Sequence, residues 1–314
     1  MTTDQQSYLS IDGGKSELRL LVSTGGERQY GTGPGMSYRP GEDGVARILE
    51  AVRAAAGSVR LPARPAAAVA GLTGVPGEPE PRRRLAGALE EFLGCPVLLV
   101  EDSLLAHAGA LAGPGTVVCA GTGTTVLAVG ASGDSVKIDG WGPLLGDRGS
   151  AHAIGLAGLR AAAAAHDGAG APTSLADRLV EEVGGTDLAR LQQFYRDPAL
   201  VARTAAFARV VLAAAEHDDV ARAICDDAAD SLATSAAAAV TRLPGAGRRV
   251  SCTGRLLTPG GLLYARLAAN LSRHGLDLVA PLSTALEGGL ILLRSEEPYR
   301  DLLRRLAPHE GGQA

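Results

Sequence analysis

Two glycine-rich segments, more than a hundred residues apart, carry the residue types that bind phosphate groups. The first segment holds Asp12, Gly13, Gly14, Lys15 and Ser16, and the second holds Gly121, Thr122, Gly123 and Thr124. Each lies between two short apolar runs and is predicted to form a turn between strands, where backbone without side chains can approach a phosphate closely. One such turn is common in proteins. Two of them, one opening each half of the chain, rarely occur by chance and predict a site for phosphate groups.

Two aspartates are candidates for the chemistry itself. Asp102 stands just after the apolar run 97–100, with Glu101 between them, and a carboxylate there can accept the proton of an alcohol as its bond to phosphorus forms. The alternative role of Asp102 is to cap the helix predicted to begin at this point. Asp12 is predicted to orient a magnesium ion through water, because magnesium keeps several waters when one carboxylate holds it. An Asx-turn is the alternative role of Asp12.

A further glycine, Gly254, follows the predicted strand 249–252 and precedes the predicted helix 260–273. Glycine at such a point leaves room for an adenine ring to lie against the backbone. Gly254 is therefore predicted to belong to an adenosine-binding loop.

The elements that must position these residues follow one plan in both halves of the chain. The first half is predicted to hold strands at 7–11, 18–22, 28–31, 66–70 and 97–100, with helices at 42–57, at 82–93 and after 103. The second half is predicted to hold strands at 116–120, 125–129, 136–138, 249–252 and 276–279, an Ala-rich helical region at 151–243, and helices at 260–273 and from 283. Alternating strands and helices favour an α/β fold with a mostly parallel sheet. The residues 113–115, Gly-Pro-Gly, are predicted to mark a domain boundary and hinge.

At these residues the chain resembles the sugar-kinase, heat-shock-protein and actin-like ATPases, in which two related domains bind a nucleotide through two phosphate turns and an adenosine loop. It is most similar to the N-acetylglucosamine kinase branch of the BadF/BadG/BcrA/BcrD family. The phosphate motifs of that family resemble residues 12–16 and 121–124, and its most distinctive stretch resembles residues 140–150. The resemblance implies an α/β fold of two ribonuclease-H-like, actin-like ATPase domains around a central cleft. These domains are expected at 1–113 and 114–314, with the last helix free to return to the first domain.

The resemblance also implies roles for individual residues. Asp102 matches the base, and ATP with Mg²⁺ held at Asp12 is the implied cofactor. The implied nucleotide contacts are Gly13, Gly14, Lys15, Ser16, Gly121, Thr122, Gly123, Thr124 and Gly254. The implied sugar contacts are Ser37, Arg39, Asp102, Thr122, Gly142 and Asp147. Asp147 has the capping of a following helix as its alternative role, and Trp141 is either a surface for the sugar ring or a core residue.

This chain departs from the family pattern at three positions. Arg148 stands where relatives usually have Glu, Arg39 stands where they have Asn, and Lys15 stands where Gly is frequent. The two arginines change the charge around the implied sugar site. They leave glucosamine, N-acetylglucosamine, N-acetylmuramic acid and glucose all open as substrates.

The predicted function is the ATP-dependent phosphorylation of an amino sugar at a primary hydroxyl, at carbon six. One alternative is an ATPase activator of the same family, which would hold an iron–sulfur cluster through closely placed cysteines. The four cysteines here are scattered singly along the chain. The other alternative is a non-catalytic, sugar-sensing binding protein, and the presence of Asp12 and Asp102 favours an enzyme over it.

The charge and the hydropathy of the chain limit the classes of partner that we expect it to bind. The formal net charge is −4, which provides no cationic field for a nucleic-acid backbone. No window approaches the roughly 18 apolar residues of a membrane span, and the first residues lack a basic region followed by an apolar stretch. We therefore expect sugar and ATP as partners, with neither nucleic acid nor membrane, in the reducing cytoplasm. The resemblance leaves a homodimer open, because relatives are often dimers.

Overall fold

The computed structural model describes residues 6–35, 44–294 and 296–306. Within them, the contacts divide the chain into two compact units. The first unit runs up to Gly115 and also includes Val129–Ser135 and the chain from Pro281 onward. The second unit comprises Thr116–Ala128 and Val136–Ala280.

The strands and helices alternate as the sequence predicts. The strands are β1 (Ser7–Gly13), β2 (Glu17–Thr24), β3 (Glu27–Pro34), β4 (Ala67–Leu72), β5 (Val97–Glu101), β6 (Gly115–Ala120), β7 (Thr124–Val129), β8 (Ser135–Asp139), β9 (Arg249–Thr253) and β10 (Asp277–Leu278). The helices are α1 (Gly44–Ala56), α2 (Pro79–Leu93), α3 (Asp102–Leu111), α4 (Ala151–His166), α5 (Leu175–Val183), α6 (Leu188–Tyr195), α7 (Leu200–Ala214), α8 (Asp219–Arg242), α9 (Leu262–Arg273), α10 (Ala285–Arg294) and α11 (Tyr299–Leu306).

The first unit is built on a five-stranded sheet with the order β3-β2-β1-β4-β5. Strand β2 is antiparallel to β1 and β3, whereas β4 is parallel to both β1 and β5. Alternating apolar residues of β1 and β2, including Leu9, Ile11 and Leu20, are fully buried against α1 and α2. This packing fixes the register and so decides which residues stand at the strand ends.

The second unit repeats this plan, with the sheet order β10-β9-β6-β7-β8. Strand β9 is parallel to β6 and to β10, as β4 is to β1 and β5. Both sheets therefore place a hairpin partner on one side of the central strand and two parallel strands on the other. The predicted α/β fold with two ribonuclease-H-like sheets is confirmed. The Ala-rich region forms five separate helices, α4 to α8, and none of the described helices is long and apolar enough to cross a membrane.

Helices α3 and α10 of the first unit touch through their backbones. A Cβ atom added at Gly288 would lie 2.0 Å from the carbonyl oxygen of Leu105, and one added at Gly109 would lie 2.0 Å from that of Thr284. Only glycine permits this approach on both helices. The last part of the chain is thereby packed directly against the helix that begins with Asp102.

A buried polar network joins α3, α11 and the Gly-Pro-Gly segment within the first unit. The fully buried His107 makes a 3.0 Å hydrogen bond to the Gly115 carbonyl and another of 3.0 Å to the Tyr299 hydroxyl. Because a carbonyl only accepts, His107 donates Nε2–H to Gly115, and Nδ1 accepts from Tyr299. Burial lowers the pKa of His107 to about 4, so the ring is neutral at physiological pH.

Candidate active site

The carboxyl ends of three parallel strands in the first unit bring two predicted residues to one edge. Gly13 pairs with Leu72, and Leu72 pairs in turn with Glu101. Asp12 and Asp102 therefore stand at the same edge of the sheet, on either side of the end of β4. Ligands of open α/β sheets bind at this kind of edge.

Asp102 is the first residue of α3, and the capping residue of that helix is Glu101. Oδ1 of Asp102 accepts a 2.8 Å hydrogen bond from the Ser103 N–H. Oδ2 accepts a 2.5 Å hydrogen bond from the Thr73 hydroxyl, a residue that the sequence analysis missed. Both carboxylate oxygens are therefore held in place at the edge of the sheet.

Asp12 is a buried carboxylate, 8% exposed, which pairs with Arg19 on the neighbouring strand β2. Burial raises the pKa of Asp12, and the negative charge of Asp102 raises it further, while Arg19 acts in the opposite direction. A buried carboxylate whose ionisation is opposed by burial and by a neighbouring acid fits a divalent cation, and magnesium is commonly bound by one or two carboxylates together with substrate phosphates. The described residues contain no cluster of three or more His, Cys, Asp or Glu side chains that could hold a metal alone.

The turn between β1 and β2 is short and exposed. The Gly14 N–H donates a 3.0 Å hydrogen bond to the Glu17 carbonyl and closes the turn. Lys15 and Ser16 at its tip are exposed. Within the described chain, neither of their N–H groups donates a hydrogen bond, so both can reach a ligand.

The turn between β6 and β7 in the second unit is held by the start of α4. The carbonyl of Gly121 accepts from the Ala151 N–H at 2.9 Å, and that of Thr122 accepts from the His152 N–H at 3.2 Å. Among the described residues, the Thr122 and Gly123 N–H groups donate to no acceptor. Two neighbouring N–H groups of one turn that are unpaired among the described residues are suited to an anion.

Asp147 supports this turn from the loop that precedes α4. It is 5% exposed, and its Oδ1 accepts a 3.1 Å hydrogen bond from the Thr124 N–H. No described residue donates to its Oδ2. The helix-cap alternative for Asp147 is wrong, because the side chain of Ser150 caps α4 by accepting from the Ala153 N–H.

Asp139, which the sequence analysis also missed, organises the same loop. Its buried carboxylate accepts from the Asp147 N–H at 2.8 Å, from the Arg148 N–H at 2.9 Å and from Arg148 Nε at 3.3 Å. Arg148 is thus paired with a buried acid of its own loop. The Asp-Gly pair at the end of β8 was the available signal, since Asp and Gly both adopt the left-handed backbone that Asp139 has here, with φ 63°.

The remaining predicted site residues lie in different surroundings. A Cβ at Gly254 would lie 2.1 Å from the Ala120 carbonyl, so glycine is required where β9 ends beside β6, and its adenosine contact stays a prediction. Space around Gly142 is open, with φ 81°. Trp141 is 71% exposed, so its core alternative is wrong. Ser37 and Arg39 lie outside the described residues.

Comparison with known proteins shows the family of the chain. A model of the BadF/BadG/BcrA/BcrD ATPase family matches residues 97–266, more than half of the chain, including Asp102, Asp147 and the second turn. The chain belongs to this family.

Two curated relatives are sugar kinases. The chain is 28% identical over 209 residues to N-acetylmuramic acid/N-acetylglucosamine kinase of Clostridium acetobutylicum, covering 64% of this chain and 68% of the relative. It is 29% identical over 219 residues to N-acetyl-D-glucosamine kinase of Dictyostelium discoideum, covering 62% of this chain and 66% of the relative, just under two thirds.

Solved structures agree on the fold of this family member. A candidate N-acetylglucosamine kinase from Chromobacterium violaceum superposes with a TM-score of 0.73 at 26% identity, covering 92% of this chain and 99% of that one. A ROK-family glucokinase from Streptomyces griseus, in complex with glucose and AMPPNP, superposes with a TM-score of 0.56 at 14% identity, covering 91% and 97%. The second likeness concerns the fold alone.

Proposed function

We propose that the protein is an ATP-dependent sugar kinase that transfers the γ-phosphoryl group to the primary hydroxyl at carbon six of an amino sugar such as N-acetylglucosamine. The observation that carries this proposal is the Asp102 carboxylate, which both Ser103 and Thr73 hold at the carboxyl edge of the first sheet. The names of the two curated kinases support the substrate class.

In this proposal Asp102 accepts the proton of the sugar hydroxyl as the bond to phosphorus forms. A sugar alcohol is a weak nucleophile, and a positioned carboxylate typically contributes about 100- to 10,000-fold to such a transfer. Phosphoryl transfer depends otherwise on alignment and on neutralising charge. Each unit has a turn whose N–H groups, unpaired among the described residues, could donate to phosphate oxygens: Lys15 and Ser16 in the first unit, and Thr122 and Gly123 in the second.

Asp12 would hold Mg²⁺, with Arg19 as its partner while no cation is bound. The bound ion supplies charge neutralisation on the triphosphate. Gly13 and Gly14 keep the first turn free of side chains, Gly121 and Thr124 flank the second, and Gly254 would face the adenosine.

The sugar contacts proposed are Ser37, Arg39, Asp102, Thr122, Gly142 and Asp147. The support for Asp147 is its Oδ2, to which no described residue donates and which could accept from a ring hydroxyl. Arg148 is occupied by Asp139, so its replacement of the usual family Glu changes charge less than the sequence suggests. The proposal includes a cytoplasmic location, which the four free cysteines fit, and a homodimer.

The decisive experiment is a coupled ADP-release screen over glucosamine, N-acetylglucosamine, N-acetylmuramic acid and glucose. We expect turnover with an amino sugar, and none with its 6-deoxy analogue. Asp102→Asn should lower kcat by about 100- to 10,000-fold while ATP binding, measured by calorimetry, is retained.

Asp219→Asn is the matched control for this variant. Asp219 is likewise the first residue of a helix, α8, but its carboxylate is 93% exposed and pairs with Arg222. It should leave kcat unchanged. Near-normal turnover of Asp102→Asn, or phosphorylation of the 6-deoxy sugar, would contradict the base or the position of transfer respectively.

A further inference from the structure

Thr73 lies between the first phosphate turn and the proposed base, Asp102, at the carboxyl edge of the first sheet. It follows directly after β4, the strand that lies between β1 and β5 and runs parallel to both. Its neighbours across the sheet are therefore the phosphate turn that begins at the end of β1 and the aspartate that follows β5. The sequence gives no motif at this residue, and only the register of three strands brings it to this place.

Two hydrogen bonds use both donor groups of Thr73, its backbone N–H and its hydroxyl. The backbone N–H donates to the Gly13 carbonyl at 2.8 Å, and the hydroxyl donates to Oδ2 of Asp102 at 2.5 Å. A hydroxyl that donates to a carboxylate forms one of the stronger classes of hydrogen bond. One residue thus connects the first phosphate turn to the proposed base.

The side chain of threonine suits this task. Its branched Cβ restricts rotation about χ1, so the backbone of Thr73, anchored on Gly13, largely fixes where the hydroxyl points. With the Ser103 N–H on Oδ1, the hydroxyl on Oδ2 leaves the Asp102 carboxylate little freedom to rotate. A base that is displaced by even 1 Å can lose about 100-fold in rate.

We infer that Thr73 is a positioning residue that aligns the Asp102 carboxylate with the sugar hydroxyl and couples that alignment to the first phosphate turn. The inference rests on the proposed kinase function. Thr73 touches neither reactant in this assignment, since it acts through Asp102.

The test compares two substitutions that separate the hydroxyl from the methyl group. Thr73→Val keeps the shape and the backbone N–H but removes the hydroxyl, whereas Thr73→Ser keeps the hydroxyl. With the sugar found in the screen, we expect Val to lower kcat about 10- to 100-fold with the KM for ATP within about twofold, and Ser to restore kcat to within about threefold of wild type. Thermal unfolding of each variant is measured in parallel.

A double-mutant cycle supplies the readout that a purely structural role would not move. Because the hydroxyl acts through the carboxylate, Thr73→Val should add little to the loss already caused by Asp102→Asn. The matched control is Thr116→Val, which removes from strand β6 a buried hydroxyl with no partner among the described residues and should leave kcat unchanged.

The possible outcomes distinguish a failure of the role of Thr73 from a failure of the proposed kinase function. Wild-type protein that releases no ADP with any sugar overturns the proposed function, and the inference falls with it. Active wild type together with full kcat in Thr73→Val overturns the inference alone. Failure of Ser to restore kcat, or losses that multiply fully in the double variant, would show that Thr73 serves only the packing of the sheet.

Discussion

The two sheets share one strand order but present different chemistry at corresponding edges. In the first unit the strand ends carry ionisable acids, Asp12 and Asp102. In the second unit the corresponding turn offers backbone N–H groups and hydroxyls, and its acid, Asp147, serves to hold the turn. The repeated scaffold decides where a turn stands, whereas the few residues at the strand ends decide which polar groups that place presents.

The buried acids of the two units also differ in how they are satisfied. Asp139 in the second unit accepts three hydrogen bonds from its own loop, as a structural carboxylate should. Asp12 in the first unit has one cationic partner, Arg19, and burial raises its pKa. A buried acid with few donors is better suited to binding a ligand than one with three, because its charge is less fully compensated within the protein.

Neutralising one buried acid in each unit should have the largest and most different effects. Asp12→Asn should lower kcat at saturating Mg²⁺ and ATP by about 100-fold or more, because it removes a charge aimed at the reacting groups. Asp139→Asn should instead lower the free energy of unfolding by about 1–3 kcal/mol, since it weakens the loop contacts, with little change in kcat per folded molecule. Steady-state kinetics across a Mg²⁺ titration and thermal unfolding measure the two effects. The opposite pattern would reverse the assignment of the two acids.

Acid should destabilise the first unit through His107. Its pKa is lowered from 6.5 to about 4 in the folded protein, so the unfolded chain binds the proton more readily between these values. Stability is fully present above pH 6.5 and is lost as the pH falls toward 4, by about 3 kcal/mol in all. Urea unfolding at several pH values measures this slope, and Asp12, whose pKa burial raises above its ordinary value, contributes with the opposite sign.

His107→Gln should flatten the pH dependence of unfolding. The control is His217→Gln in the second unit, because that ring is largely exposed and should leave the slope unchanged. An unchanged slope in His107→Gln would place the acid sensitivity elsewhere.

The smallest expected effects concern Asp147, whose carboxylate accepts a hydrogen bond from the Thr124 N–H at the second turn. Asp147→Ala leaves the Thr124 N–H without its partner, which should cost about 1–3 kcal/mol of stability and raise the KM for ATP. Asp147→Asn keeps an oxygen acceptor and should lie close to wild type in thermal unfolding. Equal destabilisation by both substitutions would show that the charge, not the acceptor, supports the turn.

Local patterns were sufficient to predict the strands, both glycine turns and the strand-end location of Asp102. The contacts of Thr73 and Asp139 could not be predicted from the sequence, because they depend on strand register and loop conformation. Thr73, for example, lies 29 positions from its partner Asp102. The boundaries of helices α4 to α8 could not be predicted either. A run rich in Ala favours helix throughout, so the points where each helix ends depend on tertiary packing. Sequence periodicity thus predicts elements well, while contacts between distant residues require the folded sheet.

The glycine contact between α3 and α10 has a consequence for how the protein is made. Residues 116–128 and 136–280 leave the ribosome before α10 does, so the second unit can finish folding while the first still lacks a helix of its own. Until Gly288 reaches Gly109, the helix that starts with the proposed base has an uncovered face. The first unit, which carries Asp12 and Asp102, is therefore completed last, after the whole of the second unit has been synthesised.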